Sequence, residues 1–240
     1  MHPPHSPTCK GECSWIFSEL EEKGKVALRA MTKTITYAKG ELIFQEAEPA
    51  FGFYVICEGK VKLAKHSPHG KKQILKLLGP CELLGEKTMF DHEVYTAYAQ
   101  TLERTRVNFF QREQFLEFLK HHPEVALKVI EKLSREIKGF QDKLMETSYE
   151  GSQERLARLL LLMAKEYGVK EEKGVYVGIE LSRQELAELA GISTETAIRT
   201  LSRFKERGFI ELEGHKIYIV NETSLSALAE VQISPKENLL

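Results

Sequence analysis

The segment 182-SRQELAELAGISTETAIRTLSRFKERGFI-210 constrains the fold most, because it holds two amphipathic helical patterns separated by one glycine. Ser182 followed by Glu185 is the pattern of a capping box, which favours a helix that begins after Ser182. Gly191 can adopt the left-handed conformation that ends such a helix, and Ser193 or Thr194 can cap the second helix. The expected inner faces consist of six small or apolar residues: Leu186, Leu189, Ala190, Ala197, Leu201 and Phe204.

The opposite surface of the second helix is polar and partly basic. Two helices of this kind, followed by short strands at 210–213 and 216–220, predict a winged helix-turn-helix that binds DNA. Glu195 can accept a hydrogen bond from cytosine N4, and Arg199, one turn later, can donate two to guanine O6 and N7. The alternative is a salt bridge between these two side chains on the helix surface. Eight further residues are candidates for contacts to the DNA: Ser182, Gln184, Ser193, Thr194, Thr196, Arg203, His215 and Lys216.

The region from residue 34 to about residue 111 has a different texture, in which short apolar runs alternate with turns that contain glycine. Many short strands at this spacing predict an antiparallel sandwich or barrel. A helical pattern at 15–32 precedes the strands and a short helix at 114–120 follows them. We therefore expect the α+β class, with an N-terminal antiparallel β-roll similar to a cupin jelly roll.

A long helix is predicted from Pro123 to residue 147. Its apolar residues recur at spacings of 4, 3, 4, 3 and 4, which is the period of a coiled-coil seam. Packing of this helix on its own roll is the alternative, but that would accept a broader and less regular stripe. We therefore predict a homodimer through this helix. Six residues form the predicted dimer seam: Ala126, Ile130, Leu133, Ile137, Phe140 and Leu144.

The length of 240 residues suits two domains. A Tyr-Glu-Gly-Ser patch near 148–153 is the predicted hinge, and a helix, a charged turn and one short strand then lead to the helix-turn-helix. The predicted organisation has four parts: a flexible tail with two cysteines at 1–14, a sensor β-roll at 15–122, the dimerisation helix at 123–147 and the DNA-binding domain at 148–240.

These features together resemble the CRP/FNR family of transcription regulators over about residues 15–230, and LLGE at 83–86 resembles its β-roll signature. The resemblance implies a homodimer that binds a palindromic operator in double-stranded DNA and contacts RNA polymerase. Glu195 and Arg199 match the positions that read a TGA-type half-site. This chain has Ile198 where FNR-type members have a serine, so their half-site preference does not carry over. Six residues match the recognition-helix motif: Gly191, Ser193, Thr194, Glu195, Thr196 and Arg199.

The family's cyclic-nucleotide binders have Gly-Glu followed, about ten residues later, by Arg and then Ser or Thr. Gly85 and Glu86 match the first pair, but Tyr95 and Thr96 stand at the later position. The arginine that would pair with the cyclic phosphate is missing. Tyrosine cannot replace it, because it lacks the charged guanidinium group that forms two parallel hydrogen bonds with a phosphate. These four residues are the candidate effector pocket, and the resemblance implies a signal other than cyclic AMP.

An iron–sulfur cluster held by cysteines is a second hypothesis for the sensor. FNR-type members carry three cysteines before the roll and a fourth late in it, whereas this chain has Cys9 and Cys13 in its tail and none near 107–108. Cys81 is the candidate third ligand, and Cys57 is expected to be a small core residue. A thiol switch of Cys9 and Cys13 remains open. Haem is less favoured, because no spacing selects a ligand among six histidines: His5, His66, His69, His92, His121 and His122.

Several function classes lack support in the chain. The formal net charge is −1, so any DNA binding depends on a local basic face. The common nucleotide-binding, hydrolase and metalloprotease motifs are missing, which argues against an enzyme. The N-terminus has no apolar core typical of a secretory signal and no run is long enough to span a membrane, so we expect a cytoplasmic protein. A cyclic-nucleotide-type signalling module that regulates a protein partner without binding DNA is the alternative function.

Overall fold

The computed structural model describes residues 14–67, 70, 72–91, 94–149 and 151–230. The chain divides into two compact units, Met1–Gly139 and Phe140–Leu240, and the boundary falls within the long helix. Among the described residues, no helix is both long and apolar enough to cross a membrane.

The first unit begins with a 3₁₀ turn at Trp15–Phe17 and helix α1 at Glu22–Ala30. The prediction of one continuous helix at 15–32 was therefore wrong. The chain is extended at Glu21, where ψ is 166°, and the preceding turn buries Ile16 and Phe17 in a core that a straight helix would not reach.

Eight strands and three further helices follow, and the last of these helices continues into the second unit. The strands are β1 (Thr32–Tyr37), β2 (Leu42–Phe44), β3 (Gly52–Glu58), β4 (Val61–His66), β5 (Lys72–Leu78), β6 (Leu83–Leu84), β7 (Tyr98–Thr101) and β8 (Thr105–Gln111). The helices are α2 (Thr88–Asp91), α3 (Arg112–His121) and α4 (Pro123–Tyr149). The long helix begins at Pro123 as predicted, because proline is well tolerated in the first turn of a helix.

The eight strands form two antiparallel four-stranded sheets, in the orders β1-β8-β3-β6 and β2-β7-β4-β5. Strand β3 is buried on both faces, which explains its unbroken apolar run. Ile56 belongs to the core that strands of both sheets share. Phe53 and Val55 point to the other side of their sheet, into a second core that includes Val125 and Val129 of α4. The roll is therefore packed directly against α4.

The second unit contains α5 (Ser152–Tyr167), β9 (Val169–Glu171), β10 (Gly174–Tyr176), α6 (Arg183–Ala190), α7 (Thr194–Glu206), β11 (Ile210–Glu213), β12 (Lys216–Ile219) and α8 (Glu222–Glu230). Its four strands form one antiparallel sheet in the order β11-β12-β10-β9. The segment 169–180, predicted as a charged turn and one short strand, instead contains a hairpin of two strands, in which Val169 pairs with Tyr176. Strand β9 was not predicted because all three of its residues are exposed at the sheet edge, so its sequence is charged and lacks an apolar face. The β-roll, the long helix and the winged helix-turn-helix of the predicted α+β fold are confirmed.

Candidate functional site

Local hydrogen bonds cap the starts of α6 and α7. The Ser182 hydroxyl accepts from the Glu185 amide at 3.1 Å, and the Glu185 carboxylate accepts from the Ser182 amide at 2.9 Å. This is the predicted capping box. Gly191 ends α6 with φ of +64°, a conformation that side chains disfavour. Ser193 caps α7, since its hydroxyl accepts from the Thr196 amide at 3.1 Å. The start of α7 is thereby fixed relative to α6.

Helix α7 has one buried face and one exposed face. Ala197, Leu201 and Phe204 are buried, as predicted, and Thr200 is buried with them. On α6, Ala187 is buried although it was not among the predicted inner-face residues. Leu189, which was predicted to face inward, is only half-buried. The reason is that Ala187 lies nearer than Leu189 to the middle of the stripe that faces α5 and α7.

The outer face of α7 presents Glu195 and Arg199, one turn apart and both exposed. Across the described part of this helix, no ion pair joins the two side chains. The pKa of the Glu195 carboxyl is held below its ordinary value by its own backbone amide and then by Ser193. An ionised carboxylate and a guanidinium group therefore lie one turn apart on the exposed surface of the helix.

The wing is tied to the beginning of α6. Glu213 pairs with Lys216 across the two-residue turn formed by Gly214 and His215. The Arg183 guanidinium donates to the Gly214 carbonyl oxygen at 3.0 Å, and burial lowers the pKa of Arg183. The Lys216 ammonium lies over the Tyr176 ring, 5.5 Å from its centre.

All ten predicted DNA-contact residues lie on α6, α7, their caps or the wing. Five are exposed: Gln184, Ser193, Glu195, Arg199 and His215. Five are half-buried: Ser182, Thr194, Thr196, Arg203 and Lys216. Two neighbouring residues were not among the predicted DNA contacts. Arg183 positions the wing, and the only local signal for it was an arginine directly after a helix cap. Ile198 is half-exposed beside Glu195 and Arg199.

Helix α4 presents two different faces. Val125 and Val129 are buried against the roll, whereas Ile130 and Ile137 of the predicted seam are 59% and 60% exposed. Of the other four seam residues, Ala126 and Leu133 are half-buried and Phe140, in the second unit, is exposed, while the side chain of Leu144 lies outside the described residues. Ile130 and Ile137 therefore lie away from the face that packs on the roll, whereas Leu133 of the predicted seam packs against the roll core.

Two domain models match the chain, one to each part of this architecture. The cyclic nucleotide-binding domain matches residues 34–122, which cover the roll and α3. The Crp-like helix-turn-helix domain matches residues 154–228.

Relatives match over most of their length. The chain is 31% identical to the cyclic AMP receptor protein of Thermus thermophilus over 176 residues, covering 73% of this chain and 78% of the relative. The chain belongs to the CRP/FNR family of transcription regulators. It is 29% identical over 214 residues to the CRP-like cAMP-activated global transcriptional regulator of Mycobacterium tuberculosis, covering 89% of this chain and 96% of the relative.

Solved structures of the family have the same fold. The catabolite activator protein of Thermus thermophilus aligns with a TM-score of 0.52 at 28% identity, over 89% of this chain and 97% of that one. Members of the CRP/FNR family are transcription regulators, not enzymes, that bind DNA and act as dimers.

The roll of this CRP/FNR member holds two of the four candidate pocket residues, Gly85 and Tyr95, close together. Gly85 has φ of +76°, and a Cβ placed on it would lie 2.7 Å from the Tyr95 ring. The Tyr95 hydroxyl donates to the Gly52 carbonyl oxygen at 2.8 Å, and its ring stacks on Phe44 with centres 3.9 Å apart. Burial raises the pKa of Tyr95 well above its ordinary value. Thr96 is exposed, apart from this group.

Glu86, the fourth candidate, is 5% exposed. Its carboxylate accepts from the Lys132 ammonium of α4 at 2.5 Å, and Lys132 also donates to Glu136 at 2.7 Å. Sequence analysis did not identify Lys132, because it lies 46 positions from Glu86 and no local pattern links them. The pocket glutamate already has a cationic partner within the chain.

The cysteines divide into two groups. Cys57 is buried in β3, as predicted, and Cys81 is half-buried with φ of +70°. Cys9 and Cys13 lie outside the described residues. Within the described ranges, no group of three or more His, Cys, Asp or Glu side chains is arranged to hold a metal ion.

Proposed function

We propose that this protein is a homodimeric, sequence-specific DNA-binding regulator whose helix α7 reads bases in the major groove. The observation that carries the proposal is the exposed pair of Glu195 and Arg199 on a helix whose start is fixed by Ser193. A carboxylate that accepts from cytosine N4 and a guanidinium that donates to guanine suit a half-site of the TGA type. The exposed His215 and the half-buried Lys216 of the wing provide contacts to phosphates, which position the protein without specifying sequence.

Dimerisation would follow from the exposed seam of α4. Ile130 and Ile137 expose apolar surface that a second copy of the helix would cover at coiled-coil spacing. Two copies of α7 would then enter successive major grooves about 34 Å apart, which requires a palindromic operator. A signal molecule can change this arrangement only if it binds the alternative conformations of the dimer with different affinities.

The experiment for DNA reading is in vitro selection from a random duplex library, followed by fluorescence anisotropy on the selected duplex. Arg199→Ala should weaken specific binding by roughly 1–3 kcal/mol for each base that Arg199 reads, and should relax the preference at that base. Arg207→Ala is the matched control, because Arg207 is exposed beyond the end of α7. If no sequence is enriched, the signalling module without DNA binding becomes the better description. If Arg199→Ala keeps the wild-type preference, Arg199 is not a reader.

For the roll, the proposal includes a signal other than cyclic AMP. In support, Tyr95 occupies the position of the phosphate-binding arginine and is stacked on Phe44, and Glu86 is paired with Lys132. The names of two relatives favour the other candidate, cyclic AMP. Calorimetric titration with cyclic AMP decides between them. Saturable binding that also tightens operator binding would overturn this part of the proposal.

The tail cysteines are the second route for a signal. Cys13 directly precedes Ser14 in the sequence, and the ring of Trp15 lies 4.3 Å from the Arg135 guanidinium of α4. A change at Cys9 and Cys13 would therefore act on a chain segment attached to the dimerisation helix. An absorption spectrum with iron and sulfide assays, on protein purified without oxygen, tests for a cluster. Colourless protein without iron would leave a thiol switch, measured by thiol titration.

A further inference from the structure

Ile198 stands out on the outer face of α7. At about 100° per residue, Glu195, Arg199 and Ser202 lie within about 70° of the line opposite the buried residues, and so does Ile198. The other three are polar and exposed, and Ile198 is 49% exposed. Its side chain is the apolar member of a surface that is otherwise suited to hydrogen bonding.

The major groove offers an aliphatic side chain little to contact. The exposed edges of guanine, cytosine and adenine there consist of hydrogen-bond donors and acceptors, and thymine alone adds a methyl group at C5. An isoleucine placed against a polar edge would remove water from it without replacing the hydrogen bonds to that water, which is unfavourable. Contact with a methyl group would instead remove apolar surface from water on both partners.

We infer that Ile198 is a specificity-determining residue that selects thymine, through its C5 methyl group, at one position of each half-site. This inference rests on the proposed entry of α7 into the major groove. Ile198 follows Glu195 by three residues, a rise of about 4.5 Å along the helix. The selected thymine should therefore lie within the half-site that Glu195 and Arg199 read.

The experiment replaces each thymine of the selected operator by deoxyuridine, one symmetric pair at a time, and measures affinity by fluorescence anisotropy. Deoxyuridine retains the hydrogen-bonding edge of thymine and lacks only the methyl group. At one position the wild-type protein should bind about fourfold more weakly for each methyl group removed, the factor that corresponds to roughly 0.8 kcal/mol per buried methyl-sized group. The remaining thymines should tolerate the replacement.

In Ile198→Ala the same replacement should have no effect, while the preference at the bases read by Glu195 and Arg199 persists. Ile198 is exposed and alanine favours helix, so this variant should fold. Leu162→Ala is the matched control, because Leu162 is an exposed apolar residue on α5, outside the recognition helix, and should keep the discrimination.

The outcomes separate the inference from the function on which it rests. If the wild-type protein binds its operator specifically but tolerates deoxyuridine at every position, the inference is wrong and the proposed function stands. The same holds if Ile198→Ala still discriminates thymine from deoxyuridine. If the protein selects no sequence, the proposed function fails and the inference fails with it.

Discussion

Glu86 and Lys132 form an ion pair at 2.5 Å that joins the loop after β6 to helix α4. Both side chains are largely buried, at 7% and 11% exposure. Glu136, one turn further along α4, is 2.7 Å from Lys132 and is also approached by Lys87 at 3.6 Å. This ion pair therefore connects the candidate effector pocket to the predicted dimerisation helix. A ligand that reached Glu86 would compete with Lys132 for the Glu86 carboxylate.

Lys132→Met should destabilise the first unit, because it leaves two partly buried carboxylates, Glu86 and Glu136, without their principal cation. We expect the free energy of unfolding to fall by about 3 kcal/mol, measured by urea denaturation. Adding Glu86→Gln should recover part of this stability, since it removes one of the uncompensated charges. Lys120→Met, which breaks an exposed pair with Glu117, should cost less than about 1 kcal/mol. A strictly additive double variant would show that the pair is not coupled.

Stability should fall in acid through Glu136. Burial alone would raise the pKa of the Glu136 carboxyl, but Lys132, Lys87 and Lys76 outweigh burial and hold that pKa below 4.5. A depressed pKa contributes stability above the unfolded value, and this contribution is lost as pH falls through the folded value. Melting temperatures measured from about pH 3 to pH 7 should therefore fall less steeply on the acid side in Glu136→Gln. An unchanged acid slope in that variant would contradict the assignment.

Ile137→Glu should convert the dimer to monomers. The change places one carboxylate from each copy at a seam position that is 60% exposed in the single chain. The apolar burial removed from both copies corresponds to about 3 kcal/mol or more, a weakening of at least about a hundredfold. Light scattering after size-exclusion chromatography measures the mass. Lys138→Glu adds the same side chain at the next exposed position, off the seam, and should remain dimeric. A dimeric Ile137→Glu variant would refute the seam.

Cys81→Gly should stabilise the roll. Cys81 has φ of +70°, and the Glu82 amide donates to the Gly79 carbonyl oxygen at 3.3 Å, so Cys81 occupies a turn position that favours glycine. Glycine should relieve roughly 1–2 kcal/mol of strain from the left-handed backbone conformation. The greater flexibility of glycine in the unfolded chain offsets part of this. The free energy of unfolding should therefore rise by about 0.5–1 kcal/mol. The urea midpoint measures it. Cys81→Ala keeps the strained backbone and should not stabilise; an equal gain in both variants would assign the effect to the thiol instead.

Helix caps and face assignments were the most predictable features. Ser182, Glu185 and Ser193 act within three residues of their partners, so the sequence contains the whole interaction. The strand β9 was missed because it is exposed and charged, which removes the alternation by which strands are recognised. The break between Trp15–Phe17 and α1 was missed because burial of Ile16 and Phe17 against the roll, not local preference, decides it.

The sequence by itself determined the order of the domains, the start of α7 and the two residues on it that suit base recognition, because these depend on periodicity and on partners three or four residues away. Only the tertiary structure decided that Glu86 is paired with Lys132, that Tyr95 is held by Gly52 and Phe44, and that Arg183 binds the wing. Each of these contacts joins residues 31 or more positions apart. Such partners are brought together by the packing of sheets and helices around shared cores, which no local pattern specifies.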